Sequence, residues 1–233
     1  DLENVYLMRG YDWATKIKAA LTDDSIKNVA VVGSGYIGIE AAEVFAKKGK
    51  HVTLFDFIDR PLGNYLNHEM TEIIDKTLTD NGVQVEMSQS ITAFKGDGKV
   101  ASVETKKGSY PADLVIQAAG VQPNTEWLKS VVDLTDRGFI NVDGYLRTNV
   151  PDIFAVGDAI LPLSIPAGKP SPIALATTAR REAQYVVNHI FEKKPTQIFK
   201  GVVGSSALHV FDEHFASTGV NEFTAERSNV EIV

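Results

Sequence analysis

The chain has 233 residues, of which 44% are hydrophobic and 23% charged, a balance typical of folded globular proteins rather than disordered ones. Its 30 acidic residues outnumber its 23 basic ones, and the resulting net charge of −7 argues against a general nucleic-acid binder. Cysteine is absent, so this sequence offers no disulfide, thiolate metal site or thiol nucleophile. No apolar run approaches the roughly 20 residues that a helix needs to cross a bilayer.

The first half of the chain alternates helical and strand patterns. Apolar spacing predicts a helix over residues 11–21, and the β-branched run at 28–32 predicts a strand that is buried on both faces. A second helix is predicted over 39–48 and a second strand over 51–55. Residues 113–118 form another apolar run that predicts a buried strand.

Between these strands the pattern predicts one more helix and a set of short strands. Asn67 can cap a helix whose apolar face would comprise Met70, Ile73, Ile74 and Leu78. Short strands with turn signals then follow over 83–104. The element order predicts an α/β fold, with a Rossmann-like parallel sheet and an inserted antiparallel meander.

The pattern of predicted elements changes in the second half of the chain. Residues 138–147 predict a hairpin, 153–156 a strand and 174–191 a long helix. Four prolines fall within 161–172, so that stretch is predicted to be a loop.

A glycine motif follows the first predicted strand directly. Gly33, Gly35 and Gly38 have the Gly-x-Gly-x-x-Gly spacing and lead into a helix, which is the context of a dinucleotide-binding turn. The first glycine would allow the tight turn, the second the approach of a diphosphate, and the third close packing of helix and strand. A glycine-rich turn without a ligand is the structural alternative.

An acidic residue ends the next predicted strand. Asp56 lies 23 residues after Gly33, near the spacing of about 20 expected for the acid that binds the adenine ribose. A 2′-phosphate would meet its negative charge, so Asp56 favours NADH over NADPH. Arg60 lies four residues further on and could serve such a phosphate instead, and a solvated strand-end acid is the bland alternative for Asp56.

With this fingerprint the chain resembles the pyridine nucleotide–disulfide oxidoreductase family, in its NADH peroxidase and water-forming NADH oxidase branch. The resemblance rests on residues 29–40, 113–124 and 148–158, with shorter matches at 174–179 and 215–219. Members of this family open with another glycine motif, for FAD, and a redox-active cysteine, and neither appears in this sequence. We therefore expect the chain to lack the first third of its parent protein and to be inactive on its own.

The resemblance implies an NADH site built from nine residues. These are Gly33, Gly35, Tyr36, Ile37, Gly38, Glu40, Asp56, Tyr65 and Gly120. Tyr36 would cover the flavin ring, Glu40 would lie on the nicotinamide side, and Tyr65 would lie beside the adenine ribose. Ile37 would contribute a backbone N–H, and Gly120 would let the backbone approach the nicotinamide half. Each of three residues also has a structural alternative. Tyr36 could pack at the start of a helix, Tyr65 could pack on the surface, and Glu40 could stabilise the helix dipole.

The same resemblance implies a partial FAD site. Asp158 would accept a hydrogen bond from a flavin ribityl hydroxyl, with an N-cap role as the alternative. Leu175, Ala176 and Thr177 would begin a helix whose positive end favours reduced flavin, with an ordinary core helix as the alternative. We expect no catalytic residue in this chain, because the redox-active cysteine is absent. We also expect no metal site, because strand alternation should separate His209 from His214.

The resemblance also implies a domain plan and a reaction. Residues 1–25 would be a crossover segment of the flavin domain, 26–137 the NADH domain, 138–199 the second part of the FAD domain, and 200–233 the start of a dimerisation domain. The cofactors would be NADH and FAD, and the parent would be a cytoplasmic, homo-oligomeric NADH peroxidase without nucleic-acid or membrane partners. It would transfer a hydride from NADH to FAD and then pass the electrons through the cysteine centre to hydrogen peroxide. Reduction of oxygen by a water-forming NADH oxidase, coenzyme A-disulfide reduction, and a non-catalytic NADH-binding module are the alternatives.

Overall fold

The contacts within the chain divide it into two units. The computed structural model describes residues 2–191 and 197–232. The first unit comprises residues 1–120 together with 207–215, and the second comprises residues 121–206 together with 216–233.

The first unit is built on a parallel sheet. Its elements in chain order are β1 (Val5–Leu7), α1 (Gly10–Ala20), β2 (Asn28–Val32), α2 (Tyr36–Lys47), β3 (His51–Phe55), α3 (His68–Asp80), β4 (Val83–Glu86), β5 (Ile91–Lys95), β6 (Ser102–Thr105), β7 (Ser109–Pro111) and β8 (Leu114–Gln117). Five strands pair in parallel in the order β1-β8-β2-β3-β4, and β5-β6-β7 form a separate antiparallel sheet. The predicted fold class, a Rossmann-like sheet with an inserted meander, is confirmed.

The central strand β2 is buried on both faces, as its β-branched sequence predicts. Val29 and Val31 belong to the larger core with Phe45 of α2, whereas Ala30 faces a second core that includes Val103 of the meander. Alternate residues of a strand point to opposite sides of the sheet, so both sides are covered.

Helix α3 forms where expected, but its buried face differs from the prediction. Ile74 and Leu78 are fully buried, and so is Thr71, whereas Met70 and Ile73 are 44% and 42% exposed. The buried residues follow a spacing of three and four, which is one face of a helix. Met70 and Ile73 each precede a buried residue and therefore lie beside that face rather than on it.

The second unit contains one long helix and little sheet. Its strands β9 (Leu163–Ser164) and β10 (Lys169–Pro170) pair within the stretch predicted to be a loop. The predicted long helix is confirmed as α4 (Ala176–Phe191). Its core includes Val132, Ile140, Leu146, Ile160 and Val186. None of the helices in the described ranges has the length and apolar character that a membrane span requires.

The hairpin predicted over 138–147 and the strand over 153–156 do not form. Single bridges join Leu134 to Ile140 and Arg147 to Phe154 instead. The side chain of Asp143 accepts hydrogen bonds from the backbone N–H groups of Tyr145 and Arg147, at 2.8 and 3.0 Å. A local turn of this kind competes with a strand ladder for the same backbone groups.

The last elements are a hairpin of β11 (Ser206–Val210) and β12 (Glu213–Ser217), followed by α5 (Glu222–Ser228). Leu208 and Phe215 of this hairpin belong to the core of the first unit. The expectation that His209 and His214 lie apart is wrong, because the chain turns between them and their rings stack with centroids 4.4 Å apart. Within the described residues, no three His, Cys, Asp or Glu side chains are grouped to hold a metal ion.

Candidate dinucleotide and flavin sites

The glycine motif forms the turn between β2 and α2. Gly33 has a φ of +106°, and its N–H donates to the carbonyl oxygen of Phe55 at 2.8 Å. A Cβ at Gly33 would lie 2.5 Å from the carbonyl oxygen of Ala118, and one at Gly38 would lie 1.8 Å from that of Gly33. The protein's own packing therefore requires a glycine at Gly33 and explains the glycine at Gly38.

Gly35 has no such internal reason to be glycine. Its φ is −74°, and an added Cβ would meet nothing nearer than the Cε2 atom of Tyr65, at 3.8 Å. The open space in front of Gly35 fits the close approach of a ligand to the backbone.

Helix α2 points its positive end at this space. The first helical hydrogen bond runs from Ile39 N–H to the Gly35 carbonyl oxygen, at 3.0 Å. The amides of Ile37 and Gly38 precede that bond and have no intrahelical acceptor. Such amides, together with the helix dipole, make a binding site for an anion such as a diphosphate.

Asp56 follows β3 and reaches the glycine turn. Its Oδ2 atom accepts hydrogen bonds from Ser34 N–H at 2.6 Å and from Ser34 Oγ at 2.8 Å. Its Oδ1 atom accepts a longer bond, 3.3 Å, from Ile58 N–H. The structure thus brings the acid predicted to bind ribose next to the loop predicted to bind phosphate. Sequence reasoning missed Ser34, for which the only signal is a hydroxyl inside the glycine motif.

Two tyrosines adjoin the same loop. The rings of Tyr36 and Tyr65 lie 4.8 Å apart, with an angle of 50° between their planes. Burial raises the pKa of the Tyr65 hydroxyl, and the neighbouring Tyr36 and Asp56 raise it further. Tyr65 is still 47% exposed, so part of the residue can contact a ligand.

The remaining predicted NADH residues are exposed to solvent. Ile37 is 39% exposed and Glu40 is exposed on α2. Gly120 has a φ of +81° and no atom within 4 Å of an added Cβ, so it is the backbone conformation that favours glycine there.

Arg60 is the residue that the sequence offers as an alternative partner for a 2′-phosphate. Its Nη1 atom lies 3.7 Å from Asp59, a largely exposed acid. Its Nε atom is buried and makes no hydrogen bond to any part of the chain that the structure describes.

The predicted flavin residues lie close together in the second unit. Asp158 belongs to a short 3₁₀ turn, Gly157–Ala159, and is exposed. A Cβ at Gly157 would lie 3.3 Å from Ala179 of α4, so the turn packs on the first turns of that helix. Leu175 immediately precedes α4, and Ala176 and Thr177 are its first two residues.

Glu182 connects this turn to α4, and sequence reasoning missed it. The side chain is fully buried, and its Oε2 atom accepts a hydrogen bond from Gly157 N–H at 2.6 Å. Its Oε1 atom makes no hydrogen bond within the described residues. Burial raises the pKa of this carboxyl group, the Gly157 N–H opposes that shift, and the charge of Asp158 reinforces it.

Together, a parallel α/β sheet, a glycine turn at a helix start and an acid after the adjacent strand define a dinucleotide-binding protein of the Rossmann type. The model of the pyridine nucleotide-disulphide oxidoreductase family matches residues 1–183. The chain belongs to that family.

Known proteins similar to the chain bear related names. An NADH oxidase of Enterococcus faecalis is 39% identical over 234 residues, which is 100% of this chain and 52% of that protein. The water-forming NADH oxidase of Lactobacillus brevis, solved with NADH bound, superposes with a TM-score of 0.92 at 33% identity, covering 99% of this chain and 50% of the other. An NAD-dependent persulfide reductase of A. fulgidus superposes with a TM-score of 0.91 at 28% identity, covering 98% of this chain and 42% of the other. The chain therefore spans about half the length of the relatives it matches.

Proposed function

We propose that the first unit binds NADH and that the whole protein transfers a hydride from NADH to a flavin. The observation that carries this proposal is the open turn at Gly35, next to the positive end of α2, with Asp56 in contact with the same turn. The amides of Ile37 and Gly38 would bind the diphosphate, and Asp56 would bind the adenine ribose.

The proposed preference for NADH over NADPH depends on the charge of Asp56. A ribose hydroxyl can donate a hydrogen bond to its carboxylate, whereas a 2′-phosphate would bring a second negative charge to it. The NADH bound to the similar Lactobacillus brevis oxidase supports this preference. Arg60 would have to turn its Nε atom toward the ligand to reverse it.

The second unit fits part of a flavin site. The start of α4 offers amides without intrahelical acceptors, and Asp158 adds an exposed carboxylate beside it. Asp158 would hold a ribityl hydroxyl, and the N-terminal amides of α4, from Ala176 and Thr177, would face the pyrimidine edge. When bound, FAD would supply the hydride acceptor, and the protein's task would be to orient the reactants and exclude water.

The final electron acceptor of the whole protein is either hydrogen peroxide or oxygen. Hydrogen peroxide is the acceptor expected from sequence, and the names of the similar proteins, NADH oxidases, support oxygen instead. We propose oxygen as the acceptor, with hydrogen peroxide as the alternative. The four-part domain plan, a cytoplasmic location and a homo-oligomeric parent belong to the same proposal.

Calorimetric titration of the chain with NADH and with NADPH tests the NADH site. Asp56→Ala should weaken NADH binding by about tenfold to about a hundredfold, because a charge-assisted hydrogen bond is lost. Asp59→Ala is the matched control, since it removes a nearby exposed acid of the same loop and should leave NADH binding unchanged. Equal affinity of the unmodified chain for both dinucleotides would contradict the role of Asp56.

A non-catalytic NADH-binding module is the second candidate, favoured by the absence of cysteine from the sequence. The visible absorption spectrum of the purified chain separates the two. Flavin absorption that survives gel filtration would support the flavoprotein and contradict the module, which predicts a colourless chain that binds NADH.

A further inference from the structure

Ser34 joins the glycine turn to the acid at the end of β3. Its side chain is fully buried, and both its N–H and its hydroxyl donate to a single atom, Oδ2 of Asp56, at 2.6 and 2.8 Å. A hydroxyl with no exposed surface cannot contact a bound dinucleotide. Any influence of the Ser34 hydroxyl on binding is therefore indirect, and the group to which it donates is Asp56.

These bonds decide which oxygen of Asp56 remains available. A carboxylate has about four acceptor positions, two on each oxygen. Ser34 takes two of them on Oδ2, and Ile58 N–H takes one on Oδ1 through a bond of 3.3 Å. Oδ1 is then the atom with acceptor capacity left for a ribose hydroxyl.

Ser34 also holds the far end of the segment that follows Asp56. Its carbonyl oxygen accepts a hydrogen bond from Leu62 N–H at 3.0 Å. Leu62 is fully buried and has a φ of +54°, so its place is defined by packing as well as by this bond. One residue of the glycine turn therefore fixes both Asp56 and Leu62.

We propose that Ser34 is a positioning residue for the dinucleotide, whose hydroxyl holds Asp56 with Oδ1 directed at the adenine ribose. The inference rests on the proposed NADH site and adds the residue that sets the geometry of its specificity. Because the carboxylate then stays at one distance from the 2′ position, Ser34 supports both NADH affinity and the exclusion of NADPH.

The test is the ratio of NADPH to NADH dissociation constants, measured by calorimetry on the full chain and on Ser34→Ala. Alanine keeps the backbone N–H bond and removes only the hydroxyl bond, so NADH binding should weaken by about threefold to about tenfold. The ratio should fall as well, because a less constrained Asp56 can turn away from a 2′-phosphate. A purely structural role would weaken both ligands equally and leave the ratio unchanged, which would overturn the inference.

Two further variants make the test specific. Ser25→Ala removes a serine–aspartate bond of 2.6 Å, to Asp23, from an exposed turn and should change neither affinity. Adding Ser34→Ala to Asp56→Ala should have no further effect, whereas an undiminished effect would contradict action through Asp56. Ser34→Gly, which also lacks the hydroxyl, should reproduce the ratio of Ser34→Ala and serves if the alanine variant folds poorly.

The same measurements distinguish a failure of the proposed NADH site from a failure of the role proposed for Ser34. If the unmodified chain fails to bind NADH, the proposed function itself is wrong. If it binds NADH with a clear preference and Ser34→Ala retains both affinity and preference, only the role of Ser34 is wrong.

Discussion

The backbone N–H of Gly157 donates a hydrogen bond of 2.6 Å to Glu182, a fully buried side chain 25 residues further along the chain. The bond links the turn that carries Asp158 to α4. Burial raises the pKa of Glu182 above its ordinary value of 4.5, and the bond from Gly157 does not cancel that shift. The folded chain therefore keeps the Glu182 proton to higher pH than the unfolded chain does.

This pKa shift predicts a pH-dependent contribution to stability. The contribution is complete below pH 4.5 and is lost as the pH rises through the folded-state pKa of Glu182. Glu182→Gln cannot ionise, so it should gain stability relative to the unmodified chain between about pH 5 and about pH 8. Urea unfolding of both proteins across that range measures the difference, and a constant difference would show that Glu182 does not titrate in this way.

Gly33→Ala should destabilise the first unit. The substitution would impose a φ of +106° on alanine and place its Cβ 2.5 Å from the Ala118 carbonyl oxygen. We expect a loss of more than about 2 kcal/mol in the free energy of unfolding, measured by chemical denaturation. Unchanged stability would mean that the turn can shift away from Ala118, the residue that follows β8.

Gly35→Ala, in the same turn, should weaken NADH binding with little loss of stability, and it is the matched control for Gly33→Ala. Its φ of −74° suits alanine, and the nearest atom to the new Cβ is 3.8 Å away. Stability should change by less than about 0.5 kcal/mol. Calorimetry should nevertheless show NADH binding weakened by at least about tenfold, because the methyl group fills the space of the diphosphate. Undiminished binding would place the diphosphate elsewhere.

Glu43 should be a stabilising contact of the hairpin formed by β11 and β12. This buried side chain of α2 accepts hydrogen bonds from Phe211 N–H at 2.9 Å and from Lys47 Nζ. Glu43→Ala would leave the buried N–H of Phe211 without that acceptor, at a cost of about 1–3 kcal/mol in unfolding free energy. Asp80→Ala breaks an exposed ion pair of the same spacing, with Lys76, and should cost much less. Equal effects of the two variants would contradict the role of Glu43.

The sequence predicts best the features that depend on local pattern. The apolar strand β2, the glycine turn after it and the helix α4 all follow from periodicity and motif spacing. The position of Asp56 at the end of β3 also follows, because neighbouring parallel strands present their carboxyl ends at one edge of the sheet.

Contacts between distant residues could not be predicted in this way. The bonds of Ser34 to Asp56 and of Glu182 to Gly157 depend on side-chain rotamers and on close packing of separate elements. Likewise, the turn formed by Asp143 replaces the hairpin expected over 138–147, because a short polar side chain can satisfy the backbone locally. Hydrophobic pattern contains no information about these polar contacts.

A crystal structure of the chain with NADH bound tests the proposed site. We expect the diphosphate within hydrogen-bond distance of the amides of Ile37 and Gly38, and a hydroxyl of the adenine ribose donating a hydrogen bond to Oδ1 of Asp56. Electron density for the dinucleotide at another part of the chain, or an empty turn at Gly35 at saturating NADH, would contradict the proposed site.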